Sequence, residues 1–209
     1  MTPLAHASKP ERFELHRIAP QPWKNGAGLT REIAAAATRP DCSEGFDWRI
    51  SVAEVARDAP FSAFPGIDRC IVLLHGAGLR LRADDGSIDH ALDTPCAPFH
   101  FSGDVALHAT LLGGPSRDLN VMVRRGVFLC VVTCHRDAID VPAAPVVLLF
   151  GCAGSWKVGR VGPISASTAL TLATDQALLW RAPAAAFRVQ PLGPEARLLA
   201  VRLCHDQTP

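Results

Sequence analysis

"FDWRISVAEV", residues 46–55, is the stretch on which the fold turns. A two-residue period puts Phe46, Trp48, Ile50 and Val52 on one face and Asp47, Arg49, Ser51 and Ala53 on the other. That is the alternation of a β-strand, not the spacing of a helix. One face is apolar; the other lies either in solvent or in a ligand cavity, where Arg49 supplies the planar fork suited to a carboxylate.

Similar segments recur in both directions. "LTREIAAA", "RCIVLLHG", "GLRLRAD", "DVALHATLL", "LNVMVRR", "GVFLCVVTCH", "PVVLLFG", "ALLWRAP" and "ARLLAVRL" read as further strands. Turns drawn from 17 prolines, 16 glycines and several aspartates separate them, and no long window keeps a capped helical period. The expectation is an all-β sandwich or barrel. With 209 residues, the chain can bury a core without metal or disulfide support. It also echoes itself: "IVLLHGAG" (71–78) is similar to "VVLLFGCAG" (146–154), and "LGGPSRDLNVMV" (112–123) to "PLGPEARLLAVRL" (191–203). The offset is about 75–79 residues, as in a two-module chain. On that alignment His75, Asp118 and Asn120 of the first copy match Phe150, Leu198 and Ala200 of the second, so the first copy is expected to hold the site.

Twenty-one basic side chains balance 20 acidic ones, without a basic stripe, which argues against nucleic acid and anionic membrane as partners. The start, "MTPLAHASKPERFELHR", has no apolar core of signal-peptide length, and a cytoplasmic location is the expectation. Seven cysteines (42, 70, 96, 130, 134, 152, 204), mostly inside apolar runs, read as reduced, packed thiols.

Several other segments carry polar groups. "LNVMVRR" places Asp118, Asn120 and Met122 on one face, as a cavity wall or as a turn next to "GGPSR". "APFSAFPGIDR" (59–69) reads as a structured loop that brings Phe61, Ser62 and Arg69 to a pocket mouth or closes an internal Asp68–Arg69 bridge. Histidines do not occur as His-X-His, the pairing a metal-binding barrel of the cupin type uses, so no metal and no cofactor are expected. Neither a Gly-X-Ser-X-Gly elbow nor a cysteine in a basic setting is present, so no catalytic residue is assigned.

Taken in order, "WKNGAGLTREI" (23–33), "FDWRISVAEV", "APFSAFPGIDR", "LLHGAGLRL" (73–81), "FHFSGD" (99–104) and "DLNVMVRRG" (118–126) resemble the HutD/Ves family over about the first 60 per cent of the chain. The resemblance implies a bicupin: two cupin-like, RmlC-like jelly-roll β-barrels in one chain. The modules are expected at 1–126, carrying the site, and 127–209, supporting it, packed as one compact unit. It also implies a tie to histidine utilisation, with a regulatory role around an intermediate such as formylglutamate. Two departures stand out, Ala27 and Ala59, where the family tends to have glycine. An alanine at 27 would be strained if that position needed a positive φ.

The leading expectation is a metal-free, non-enzymatic module that binds a small acidic metabolite. Arg49 would anchor a carboxylate. Asn25, Ser51, Ser62 and Asn120 would bond the remainder, and Trp23 and Phe61 would form apolar walls, with Thr30, Arg69 and Asp118 completing the site. The alternative is a cupin-type enzyme, metal-free with His75, His108 or Asp118 as acid or base, or metal-dependent. A third reading is an interaction protein whose sheets pair two copies as a homodimer.

Overall fold

The computed structural model describes residues 9–37, 45–161, 169–183 and 185–207; Cys42 lies outside them. Its strands follow the alternation. Leu79–Ala83 buries every second side chain, and Trp48–Val55 buries the apolar Trp48, Ile50 and Val52 on one face. Among the described residues helix is limited to one 3-10 turn, Leu15–Arg17. None is long and apolar enough to cross a membrane.

In chain order the strands are β1 (Glu11–Glu14), β2 (Gln21–Pro22), β3 (Gly28–Ala36), β4 (Trp48–Val55), β5 (Ala59–Phe61) and β6 (Ile67–His75). There follow β7 (Leu79–Ala83), β8 (Asp89–Leu92), β9 (Pro98–Ser102), β10 (Leu107–Leu111), β11 (Ser116–Arg124) and β12 (Phe128–His135). The rest are β13 (Ile139–Val141), β14 (Val146–Ala153), β15 (Ser155–Arg160), β16 (Leu170–Ala173), β17 (Gln176–Arg181), β18 (Phe187–Pro191) and β19 (Arg197–His205). The expected segments miss the two- to four-residue strands, whose runs are too short to show a period, and also β9, β15 and β18, of five or six residues. The segment 59–69, expected as a loop, begins with β5, and the turn-like "DDGSIDHALD" contains β8, where His90 stacks on Phe99 at 3.7 Å.

Contacts divide the chain into two units. One comprises Ile18–Cys130 with the last four residues, the other Val131–His205 with Met1–Arg17. The N-terminal residues join the second unit because β1 adds to the edge of β17, where the sequence alone suggests a plain split after residue 126. In the first module a sheet ordered β2-β3-β4-β11-β6-β9 faces one ordered β5-β10-β7-β8. Ile71, Leu73 and Phe101 from the one pack with Leu79, Leu81, Leu107 and Ala109 from the other. In the second, β1-β17-β14-β19-β12 faces β13-β18-β15-β16 around Val147, Leu149, Trp156, Val158, Leu198 and Ala200.

The two strand orders are the same once β9, β6, β11 and β4 are laid on β17, β14, β19 and β12. Their bulges also coincide. The β6–β11 ladder slips between Arg117 and Asp118, and the β14–β19 ladder between Gly151 and Ala153. Aligned on the bulges, Asp118 and Asn120 match Leu198 and Ala200, as the sequence repeat suggests. On the partner strand the sequence match shifts by three residues: His75 meets Ala153 instead of Phe150, and Arg69 meets Val147. Runs of Val and Leu look alike at several registers; only the bulge fixes which one holds.

Candidate functional site

The ladder registers assemble the site. On β4, β11 and β6 the inward residues form three rows across the sheet: Arg49, Met122 and Arg69; Ser51, Asn120 and Ile71; Ala53, Asp118 and Leu73. Cations stand at one end and a carboxyl at the other, about 13 Å apart along β11 at the usual rise per residue. Above them lies a cavity of about 510 Å³, within the range of small-molecule sites. Arg49, Ser51, Arg69, Asp118 and Asn120 line its floor, and Trp23, Asn25, Thr30, Phe61 and Ser62 its walls and rim. All ten residues expected from the sequence therefore face one chamber, and the polar face of β4 is the inner one.

Each has a definite local role. Gly26, at φ +66°, turns the "WKNGAG" loop. Ala27 is not in the left-handed region and is 2% exposed, so it carries no strain. Ala59 likewise sits buried in β5 with ordinary backbone. The Asn25 side-chain oxygen accepts from the Ala27 N–H at 3.0 Å, an Asx turn, leaving its amide N–H groups for the chamber. Trp23 Nε1 donates to Thr30 Oγ1 at 2.8 Å, and its ring meets Phe61 edge-on at 5.6 Å. Gly28 lets this loop close: a Cβ there would stand 2.4 Å from the Glu54 carbonyl oxygen.

The two floor arginines differ. Arg49 Nε lies 2.9 Å from Glu32 Oε2, so its charge is already met by a carboxylate. Arg69 is 5% exposed and turned among the rings of Phe61, Phe64 and Phe101, at 5.7, 5.5 and 5.0 Å from its central carbon. Its protein hydrogen bond is one 3.4 Å donation to the Ser62 carbonyl; its Nε is buried without a partner. Burial lowers its pKa to about 10, with Asp118 opposing and Arg49 adding to the shift, and the group stays charged at neutral pH. A buried guanidinium with an unused N–H has a strong demand for an acceptor.

Asp118 is the counterpart. It is 1% exposed, its Oδ2 makes no hydrogen bond, and burial pushes its pKa up to about 7 although Arg69 pulls it down. Asn120 Oδ1, next along the strand face, is also buried without a partner. Arg49 Nε, although 2.9 Å from the Glu32 carboxylate, also makes no hydrogen bond, and native interiors rarely leave four such atoms unsatisfied in one place.

Lys24, Pro22, Pro60, Phe64 and Met122 also line the chamber. Lys24 sits between two expected residues, and Phe64 was visible only as one of two phenylalanines around Ser62. No histidine lines it, and among the described residues no three His, Cys, Asp or Glu side chains converge as metal ligands. Among the described residues the chamber therefore lacks the histidine set that a metal-binding cupin barrel uses. His75 and His108 are exposed and lie off the chamber. Among the described cysteines none is in a disulfide. Cys70 and Cys96 are buried, and Cys130 lies 3.9 Å from His100 Nδ1.

Comparison with known proteins gives the relationship. The HutD family model matches residues 15–198. Protein Ves from Citrobacter koseri is 33% identical over 190 residues, 90% of this chain and 91% of that protein. HutD from Pseudomonas fluorescens SBW25, solved in a formate condition, superposes with a TM-score of 0.79 at 28% identity, covering 94% of this chain and 99% of that one. A mutant of oxalate decarboxylase from Bacillus subtilis superposes at 0.60 with 8% identity over 97% of this chain and 78% of that chain. At that identity the likeness speaks to the fold alone, which is the cupin fold.

Proposed function

The chain belongs to the HutD/Ves family, and we propose that its first module binds a small acidic metabolite without metal, with Arg69 as the anchor of a ligand carboxylate. The observation that carries this reading is the buried Arg69 guanidinium, which lines the chamber without a carboxylate partner and whose Nε has no acceptor. Arg49, held by Glu32, is the supporting cation in place of the main one. Ser51, Asn120 and the Asn25 amide bond the polar remainder, while Trp23, Phe61 and Phe64 exclude water. Formylglutamate, with two carboxylates and an amide, fits three cations (Lys24, Arg49, Arg69) and the unpartnered Asn120 Oδ1. Sensing such an intermediate accords with a regulatory part in histidine utilisation.

The test is a thermal-shift and calorimetric screen of N-formyl-L-glutamate, formiminoglutamate, urocanate and glutamate without metal. Stabilisation by one of them, abolished in Arg69→Ala and only weakened in Arg49→Ala, is expected. Equal affinity in Arg69→Ala would sink the anchoring role.

A second reading has one observation behind it. A carboxyl with a pKa near 7 facing a chamber is what an acid–base enzyme uses. Turnover of the bound acid, followed by NMR and lost in Asp118→Asn, would establish it.

A further inference from the structure

Arg69 and Asp118, both buried, line the same open-mouthed chamber, yet among the described residues no ion pair joins them. The guanidinium is turned among its three phenyl rings, and the carboxyl stands two rows away, beyond Asn120. What Asp118 receives from Arg69 is a field, not a bond. We infer that an anion bound at Arg69 drives a proton onto Asp118, so that the chamber takes up one proton with each ligand. This rests on the acid-binding reading above.

The argument is Coulombic. The field of Arg69 is the influence that favours the ionised form of Asp118; burial opposes it. A ligand carboxylate at Arg69 cancels that field and adds a like charge inside the same low-dielectric space. Both effects favour the neutral acid. The proton comes from solvent and returns to it when the ligand leaves. Once neutral, Asp118 offers an O–H donor into the chamber in place of a second negative charge.

The other charged groups near Asp118 do not provide the same response. On β4, Arg49 is tied to Glu32 of β3, and Glu54 is paired with Arg31. Lys24 stands on the exposed loop at the rim. On β6, His75 pairs across the ladder with Arg117 past the bulge and is exposed, and on β10 His108 is exposed as well. Among the described lining residues, Asp118 is thus the carboxyl placed to take up a proton when an anion binds at Arg69.

The experiment is calorimetric titration of N-formyl-L-glutamate, with formate as a minimal second probe, from pH 6 to 9. Both probes titrate near pH 4 and so keep constant charge throughout. Affinity of the wild type is expected to fall by up to about tenfold per pH unit above pH 7. At pH 8 the apparent heat should differ between phosphate and Tris by the ionisation heat of up to one proton, and at pH 6 by little, because Asp118 is then already largely protonated. Asp118→Asn should bind with a flat profile and no buffer dependence. Equal affinity at pH 6 and 8.5, or the same slope in Asp118→Asn, overturns proton uptake while leaving acid binding intact. Failure of both probes at every pH removes the acid-binding reading and this inference with it.

Discussion

The two modules share a strand order and a bulge, yet the first holds a polar-floored chamber beside its apolar core, while the matched positions of the second are apolar and buried. Where the first places Arg69, Asp118 and Asn120, the second has Val147, Leu198 and Ala200, all fully or nearly fully buried. Where Phe101 pairs with Arg69 across β6 and β9, Trp180 pairs with Val147 across β14 and β17, and its ring packs on Phe187 at 4.2 Å. The first sheet also continues past β4 into β3 and β2, which bring the Trp23–Gly28 loop over the chamber; the second, among the described residues, ends at β12. One barrel spends its interior on stability, the other on a site, and buried polar groups are the cost. The difference teaches that one strand order accepts either interior: at three matched positions the first module carries polar side chains and the second apolar ones.

The largest effect is expected from moving the polar chemistry into the wrong module. Leu198→Asp sets a carboxyl among Val147, Leu149, Trp156 and Val158 with no arginine at the matched position. A loss of about 3–5 kcal/mol is expected at pH 8, and less at pH 5, where the acid protonates. Urea unfolding at the two pH values reads it; equal losses would show that the charge is not the cause.

The converse change should stabilise. The Asp118 carboxyl is raised from 3.8 to about 7 in the folded chain, so the folded state holds the proton more tightly than the unfolded state. Its penalty is therefore absent below about pH 4, grows between pH 4 and 7, and is complete above 7. Asp118→Asn is expected to match the wild type at pH 4 and to exceed it at pH 8 by at most about 4 kcal/mol, at 1.36 kcal/mol per pKa unit. Melting temperatures that differ equally at pH 4 and 8 would contradict the assignment.

A smaller effect belongs to the Trp23–Gly28 loop of the first module, which has no counterpart among the described residues of the second. Gly28→Ala would force a Cβ to 2.4 Å from the Glu54 carbonyl oxygen and 3.3 Å from the Trp23 ring. Backbone has to move, and a loss of about 1–3 kcal/mol is expected, together with a drop in Trp23 fluorescence shielding. Unchanged stability would mean the loop can reseat without closing on β4.

Much of this was legible in the chain. Alternation in 46–55 and 79–83 gives strands because side chains of a strand point to opposite faces whatever surrounds them. The ordered motifs pointed to the family, and the ten residues picked from them line one chamber, because they alternate along strands β3, β4, β6 and β11 or lie in the segments that lead into those strands. The short strands at 59–61 and 89–92 were not legible, since two to four residues carry no period and their pairing is imposed by neighbours distant in sequence.

What the sequence by itself determined is the class of fold, the doubled module and the set of polar side chains available to a site. What only the tertiary structure decided is that the polar face of β4 is the inner one, that the bulges align Arg69 with Val147, and that Glu32 occupies Arg49 while Arg69 stays unpaired. Burial and Coulomb energies are sums over neighbours on separate strands, and no linear stretch contains those neighbours. Two arginines that read alike in the chain therefore differ in the folded protein by what stands within a few ångströms of each.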